Sequence, residues 1–219
     1  MCSSDLDVRQ TNTHLALLAF TGIVFVWSGI QPFDRLTWVL EIFPILLAAP
    51  LIFWFWVRPL PGQLRFTTLV YSLIAVHAVI LMIGGHYSYA EVPWFNWLRD
   101  RYHLDRNYYD RVGHFAQGFV PAMVAREVLV RKTHVARGVM LAFLTVAIPM
   151  AISAWYEILE FISARTLGNS AESFLGTQGD VWDTQWDMTM CFIGALVALA
   201  LLPRWQDRQI RSLEPASEV

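Results

Sequence analysis

Charge is what this sequence has least of. Only 16% of its 219 residues are Asp, Glu, Lys or Arg, against about 25% in an average soluble domain. That deficit argues against a soluble domain, and the 56% of hydrophobic residues, with ten Trp and fourteen Phe, point the same way. The class these numbers imply is a polytopic membrane protein in one domain. Cysteine is nearly absent. Cys2 and Cys191 provide neither a disulfide framework nor zinc-ligand spacing, and Cys191, inside an apolar run, reads as a small core residue. There is no Gly-rich phosphate loop, no Ser-His-Asp order, no cysteine nucleophile, no internal repeat and no low-complexity tract. The formal net charge is −2 and the basic residues are scattered over loop ends, which argues against nucleic acid as a partner. No small-residue cleavage site follows the first apolar stretch, so no signal peptide is expected. The opening MCSSDL reads as a cloning or sequencing remnant, and residues 1–13 as an N-terminal tail.

What is present is a series of apolar runs. A bilayer core takes about 20 mostly apolar residues per helix, and six stretches qualify: 14–30, 36–57, 66–85, 109–130, 137–162 and 185–203. The expected fold is therefore all-α, a bundle of six transmembrane helices over 14–203. Residues 204–219 form a polar tail whose first part is a short, fraying helix. Two longer connections stand apart, 86–108 and 163–184. The first contains EVPWFNWLRDRYHLDR, which reads either as a lid on the membrane surface or as plain connection.

Orientation follows from Lys and Arg beside the spans. With the N-terminus cytoplasmic, that side carries Arg9, Arg58, Arg65, Arg126, Arg131, Lys132, Arg137, Arg204, Arg208 and Arg211, ten of the sixteen. Both termini are then cytoplasmic and both long loops lie outside.

Ionisable groups within spans cost several kcal/mol unless paired or wetted, so their positions carry information. Glu41, His86, Asp110, His114, Glu157, Glu160, Asp180, Asp183 and Asp187 all map to the outer ends of their helices. Residues three, four and seven apart share a helix face. That rule joins Asp110, His114 and Gln117 in NYYDRVGHFAQGF, Glu157 with Glu160 in WYEILEF, and Asp183 with Asp187 in GDVWDTQWDM. The expectation is one polar, outward-facing cavity with Asp110, His114, Glu157, Glu160, Asp183 and Asp187 as candidate catalytic residues. His86, His114, Glu160 and Asp187 are candidate ligands of a divalent metal, since His with carboxylates suits zinc, manganese or iron. Without a metal, so many acids cannot all stay ionised together, and one of them would serve as a general acid.

Each residue also has a plainer reading. His114 could bond one acid and hold two helices together. His86 could be a loop-edge residue, and His77, alone in mid-span, a core histidine. Glu157 and Glu160 could pair with Arg111 or Arg165. Asp183 and Asp187 could favour a helix N-terminus. Glu127 and Arg131, at i and i+4, read as a surface pair, and Trp94, Trp97, Trp182 and Trp186 as headgroup anchors.

The segments NYYDRVGHFAQGFVPAMVAREVL, SAWYEILEF and GTQGDVWDTQWDMTMCFIGA resemble the YjdF-type inner-membrane proteins of bacteria, a family of unknown function, over nearly all of 14–203. That resemblance implies a six-helix inner-membrane protein and brings no activity with it. A fainter likeness is to the VanZ-like membrane proteins. Their Asp-basic-x-x-His pattern falls on Asp110, Arg111 and His114, their Glu-x-x-Gln on Glu157 and Glu160, and their Asp-x-x-x-Asn on Asp183 and Asp187. The last member of the second and third motifs is an acid here, and Gly194 lies further along than their glycine, so a shared ligand is in doubt.

Three functions follow as alternatives: an envelope enzyme acting on a lipid-linked or other envelope substrate; a transporter, which the missing inverted repeats disfavour; and a non-catalytic scaffold with the polar cluster as internal glue.

Overall fold

A computed structural model describes residues 3–57, 65–167 and 177–213. Among them every regular element is a helix: α1 (Ser3–Ser28), α2 (Arg35–Val57), α3 (Thr68–Tyr87), α4 (Pro93–Tyr102), α5 (Tyr109–Lys132), α6 (Val139–Leu167), α7 (Asp183–Leu201) and α8 (Pro203–Leu213). Five of them, α1, α2, α3, α6 and α7, are long and apolar enough to cross a membrane. Their large apolar side chains point outward, as at Ile23, Phe143 and Trp155, each more than 60% exposed. That is the surface lipid demands once the helices satisfy their own backbones.

The expected span 109–130 is present as α5 but falls outside this apolar group. It carries Asp110, Arg111, Arg126, Glu127, Arg131 and Lys132. The reason is its position. α5 packs on α3, α6 and α7, and more than half of its residues are buried, so it needs little lipid-facing surface and its polarity faces protein. Its crossing with α7 is backbone to backbone. A Cβ on Gly118 would strike the carbonyl of Cys191, and one on Gly194 the carbonyl of Phe115. Small residues allow this approach, and without a hydrophobic drive inside lipid such close packing is what holds helices together. Cys191 is fully buried at this seam, the core residue expected.

Sequence chemistry sets the helix ends. Asp34 accepts a 2.7 Å bond from the Thr37 amide at the start of α2, an N-cap worth about 1 kcal/mol, and these bonds hold its carboxyl below the ordinary range. Thr67 caps α3. Pro93 opens α4 and His103, left-handed at φ 53°, closes it. α4 lies in the long connection 86–108, with Trp94 67% and Trp97 51% exposed.

The ends of the chain differ from expectation. α1 begins at Ser3, so residues 3–13, read as a tail, continue the first span as helix. α8 does not fray. It buries Gln206 and Ile210 against α3, α5 and α7. The Gln206 amide donates to the Met123 carbonyl at 2.7 Å, and Arg126 donates to Gln206 at 2.7 Å and Asp207 at 2.9 Å. Glu127, read as a surface residue, is fully buried beneath α8. It accepts from Thr67 N and Oγ1 at 2.8 and 2.7 Å and from Arg131 at 2.9 Å. A carboxylate at the end of a span looks exposed until a following amphipathic helix folds over it.

Candidate functional site

The first turns of α5 and α7 lie side by side, an arrangement the Gly118–Gly194 crossing sets further along. Asp110 and His114 project from one helix toward Asp183 and Asp187 from the other. His114 Nε2 lies 3.3 Å from Asp110 Oδ1 and 3.6 Å from Asp187 Oδ1. With a carboxylate oxygen on each side, Nε2 is placed to donate to both. His114 Nδ1 is buried without a hydrogen-bond partner.

Two arginines close the outer side of this group. Arg111 pairs with Asp187, with Asp183 at 2.8 Å, and with Asp110 and Asp180 at 3.2 Å each. Arg106 pairs with Asp183 at 2.6 Å, Asp180 at 3.4 Å and Asp110 at 3.6 Å. Arg106 and Arg111 are 3% and 10% exposed at the side chain, so these are buried pairs that are costly to break on one side. Asp183 therefore serves as an arginine partner rather than as a free helix cap. Asn107, fully buried, ties the neighbouring segments together: its amide donates to Val92 O and Asn96 Oδ1 at 3.1 and 2.8 Å, and its backbone exchanges two 2.9 Å bonds with the Gln178 side chain.

The arginine layer separates two hollows. Outside it is a vestibule of about 700 Å³ lined by Asp105, Arg106, Tyr108, Arg111, Asp180 and Trp186, among others. There the Tyr108 hydroxyl donates to Asp105 at 2.6 Å, which lowers the Asp105 pKa and raises that of Tyr108. Inside is a larger cavity of about 850 Å³ among α1, α2, α3, α5 and α6. Glu41, Asp110, His114, Gln117, Glu160 and Asp187 form its polar end, and Leu18, Ala48, Ala49, Ile52, Phe53 and Ile148 are among its apolar walls. Tyr156 also lines it and donates to Glu41 Oε2 at 3.1 Å, linking α6 to α2.

The expected residues thus divide. Asp110, His114, Glu160 and Asp187 share the cavity, joined by Glu41. Asp183 sits with the arginines. Glu157 is buried beside them, near His114 and Thr184, and neither of its carboxylate oxygens has a hydrogen-bond partner. Pairing of Glu157 with Arg111 or Arg165 does not occur among the described residues. His86 departs from the expected ligand set. Its Nδ1 lies 3.0 Å from the Ser28 carbonyl and its ring lies tilted against Trp27, with centroids 4.5 Å apart, because this side of the end of α3 faces α1. His77 lines the cavity, and its Nε2 is buried without a partner. The arginine layer and Asn107 went unread in the sequence. Their one visible signal is spacing, with Arg106 four residues before Asp110 and Arg111 adjacent to it.

A metal would find three donors here. Ligand atoms of Asp110, His114 and Asp187 lie within 4.8 Å of one another, and the two His114 separations are near the roughly 3.3 Å edge of a tetrahedral zinc site. The Arg111 guanidinium already occupies Asp187 and Asp110, so an ion would have to displace it.

Comparison with known proteins agrees with this architecture. No solved structure matches the chain. The inner membrane protein YjdF of Escherichia coli (strain K12) is 44% identical over 189 residues, which covers 86% of this chain and 88% of the relative. A family model described as "Predicted membrane protein (DUF2238)" matches residues 13–208. With nearly the whole chain matched, this protein belongs to the DUF2238 family of membrane proteins, together with YjdF.

Proposed function

We propose that this protein is an enzyme of the bacterial inner membrane that acts on a lipid-linked or lipid-like envelope molecule. One observation carries the reading: a single cavity has a His and carboxylate cluster at one end and mostly apolar walls along the rest. A molecule with a polar head and a hydrocarbon chain matches both parts, and ligand sites combine apolar walls with a few convergent polar groups in this way. His114, poised between Asp110 and Asp187, is the proton-transfer group; Glu160 and Glu41 complete the polar end. In this reading α5 is the sixth span, both termini are cytoplasmic, and the cavity's polar end lies at the outer leaflet, with the bilayer as constant partner. Transport fits less well. The core of Val70, Ala122, Met123, Ala195 and Ala198 beside the cavity is apolar and fully buried, and the polar groups further along the lining, among them His14 and Tyr71, are few.

Comparative lipid analysis of cells with and without the protein tests this. A lipid-linked species should accumulate in its absence and return to normal with the wild type, but not with His114→Ala of equal abundance and thermal stability. Full complementation by His114→Ala would sink the enzyme reading.

The second reading, a divalent metal on Asp110, His114 and Asp187, is favoured by their spacing. Elemental analysis of purified protein decides it. Near one equivalent of metal, lost in His114→Ala and retained or increased in Arg111→Ala, would establish it. No metal in any of the three proteins after supplementation would remove it.

A further inference from the structure

The two hollows differ in the balance of their charge. The vestibule sets Arg106 and Arg111 against Asp105 and Asp180. The inner cavity has Glu41, Asp110, Glu160 and Asp187 on its walls and no Lys or Arg. Arg111 reaches Asp110 and Asp187 only from behind, across the layer. The hydrogen-bonding inventory is equally one-sided. Carboxylates only accept when ionised. His114 is 6% exposed, lines the cavity, and its Nδ1 has no partner. His77 Nε2, on the same wall, is buried and unpartnered as well. The Tyr156 hydroxyl is directed at Glu41. The polar end therefore offers an excess of acceptor oxygens in a space with mostly apolar walls. Asp110 and Asp187 have Arg111 as partner, whereas Glu41 and Glu160 face the cavity with no Lys or Arg among its described lining. Acids so placed need a partner ion or must be neutralised, and an anionic head group would meet them at close range.

Building on the amphiphile reading above, we propose that the head group this cavity takes is a cation, a primary ammonium on a long hydrocarbon chain, whose N–H donors go to Glu41 and Glu160. Phosphate and other anionic heads are excluded from the cavity, and the chain lies along Ala48, Ala49 and Ile52.

The test is native mass spectrometry of the full chain in maltoside micelles, titrated separately with hexadecylamine, hexadecanol and hexadecyl phosphate near neutral pH. The expected result is a saturable one-to-one adduct with the amine, at least about tenfold tighter than with the alcohol or the phosphate, since one buried charge pairing is worth a factor of ten or more. The double variant Glu41→Gln, Glu160→Gln should bind the amine no better than the alcohol while keeping its alcohol adduct. Ala48→Trp, which fills the chain's path and leaves the acids in place, should lose all three. If the alcohol or the phosphate binds the wild type as tightly as the amine, or if the double variant keeps its preference for the amine, the cationic head is wrong and the amphiphile reading stands. If no chain compound binds the wild type, the amphiphile reading itself falls and takes this inference with it.

Discussion

The two ends of the bundle are both polar and both buried, yet they are built on opposite principles. At the α8 end, Glu127, Arg126, Gln206 and Thr67 form a closed set of bonds, most of them between 2.7 and 2.9 Å, and no fully buried polar atom of these four side chains is left without a partner. At the end where α5 and α7 begin, acids outnumber arginines, and His114 Nδ1 and both Glu157 oxygens are unpartnered. A satisfied network stiffens and specifies a fold, whereas a partly satisfied one is costly to keep. The first end is a lock. The second retains polar groups that the fold does not consume, as expected where stability has been given up for chemistry.

This contrast can be broken by substitution. Glu127→Ala should have the largest effect. It removes the acceptor of Thr67 N, Thr67 Oγ1 and Arg131. The buried Thr67 donors are left unpaired while Arg131 keeps the Arg65 carbonyl, a loss of about 3 kcal/mol or more, visible as a sharp fall in detergent melting temperature. Asp183→Ala comes next. Arg106 and Arg111 lose one shared partner but keep Asp110, Asp180 and Asp187, so the cost should be about 1–3 kcal/mol. Glu160→Gln should lower the melting temperature little, or raise it, because it removes a charge from a cavity wall without leaving a donor stranded. If Glu160→Gln unfolds the protein as Glu127→Ala does, the distinction between the two ends is lost.

The smallest effect is one of pH. Asp207 is held below the ordinary carboxylate range: burial opposes its ionisation, but the bonds and charge of Arg126 and Arg137 outweigh it. A lowered folded pKa makes its contribution complete above the unfolded value of 3.8 and lost as pH falls below it. Corrected for the intrinsic pH dependence of amide exchange, protection in α8 should therefore fall below about pH 4 in the wild type, by a few tenths of a kcal/mol for a partly exposed network. Asp207→Asn should lack that step, and a step of equal size in Asp207→Asn would assign it to another group.

What the sequence disclosed here follows from periodicity. Asp110 with His114 and Asp183 with Asp187 were readable because four residues return a helix to the same face. The convergence of these groups with Glu41 and Glu160 was readable because span order fixes depth. Depth says nothing of rotation about the helix axis, which is why His86, at the right height, turned out to face Ser28 and Trp27. The arginine layer was hidden because its carboxylates lie some seventy residues away on α7, a pairing that no local pattern encodes. Glu127 was misjudged because its cover, α8, looked like a loose end.

The backbone contact between Gly118 and Gly194 has a mechanical corollary. Two helices that meet through their main chains have no side-chain layer to deform, so α5 and α7 behave as one rigid post. The walls that remain free to move are α1 and α2, each of which packs mainly on α3. In the proposed enzyme, loading the cavity would be a lateral event, in which those two helices lean away from the post into the surrounding lipid. The work needed would depend on how tightly that lipid is packed, so the proposed turnover should respond to membrane fluidity and thickness as directly as to any side chain in the site.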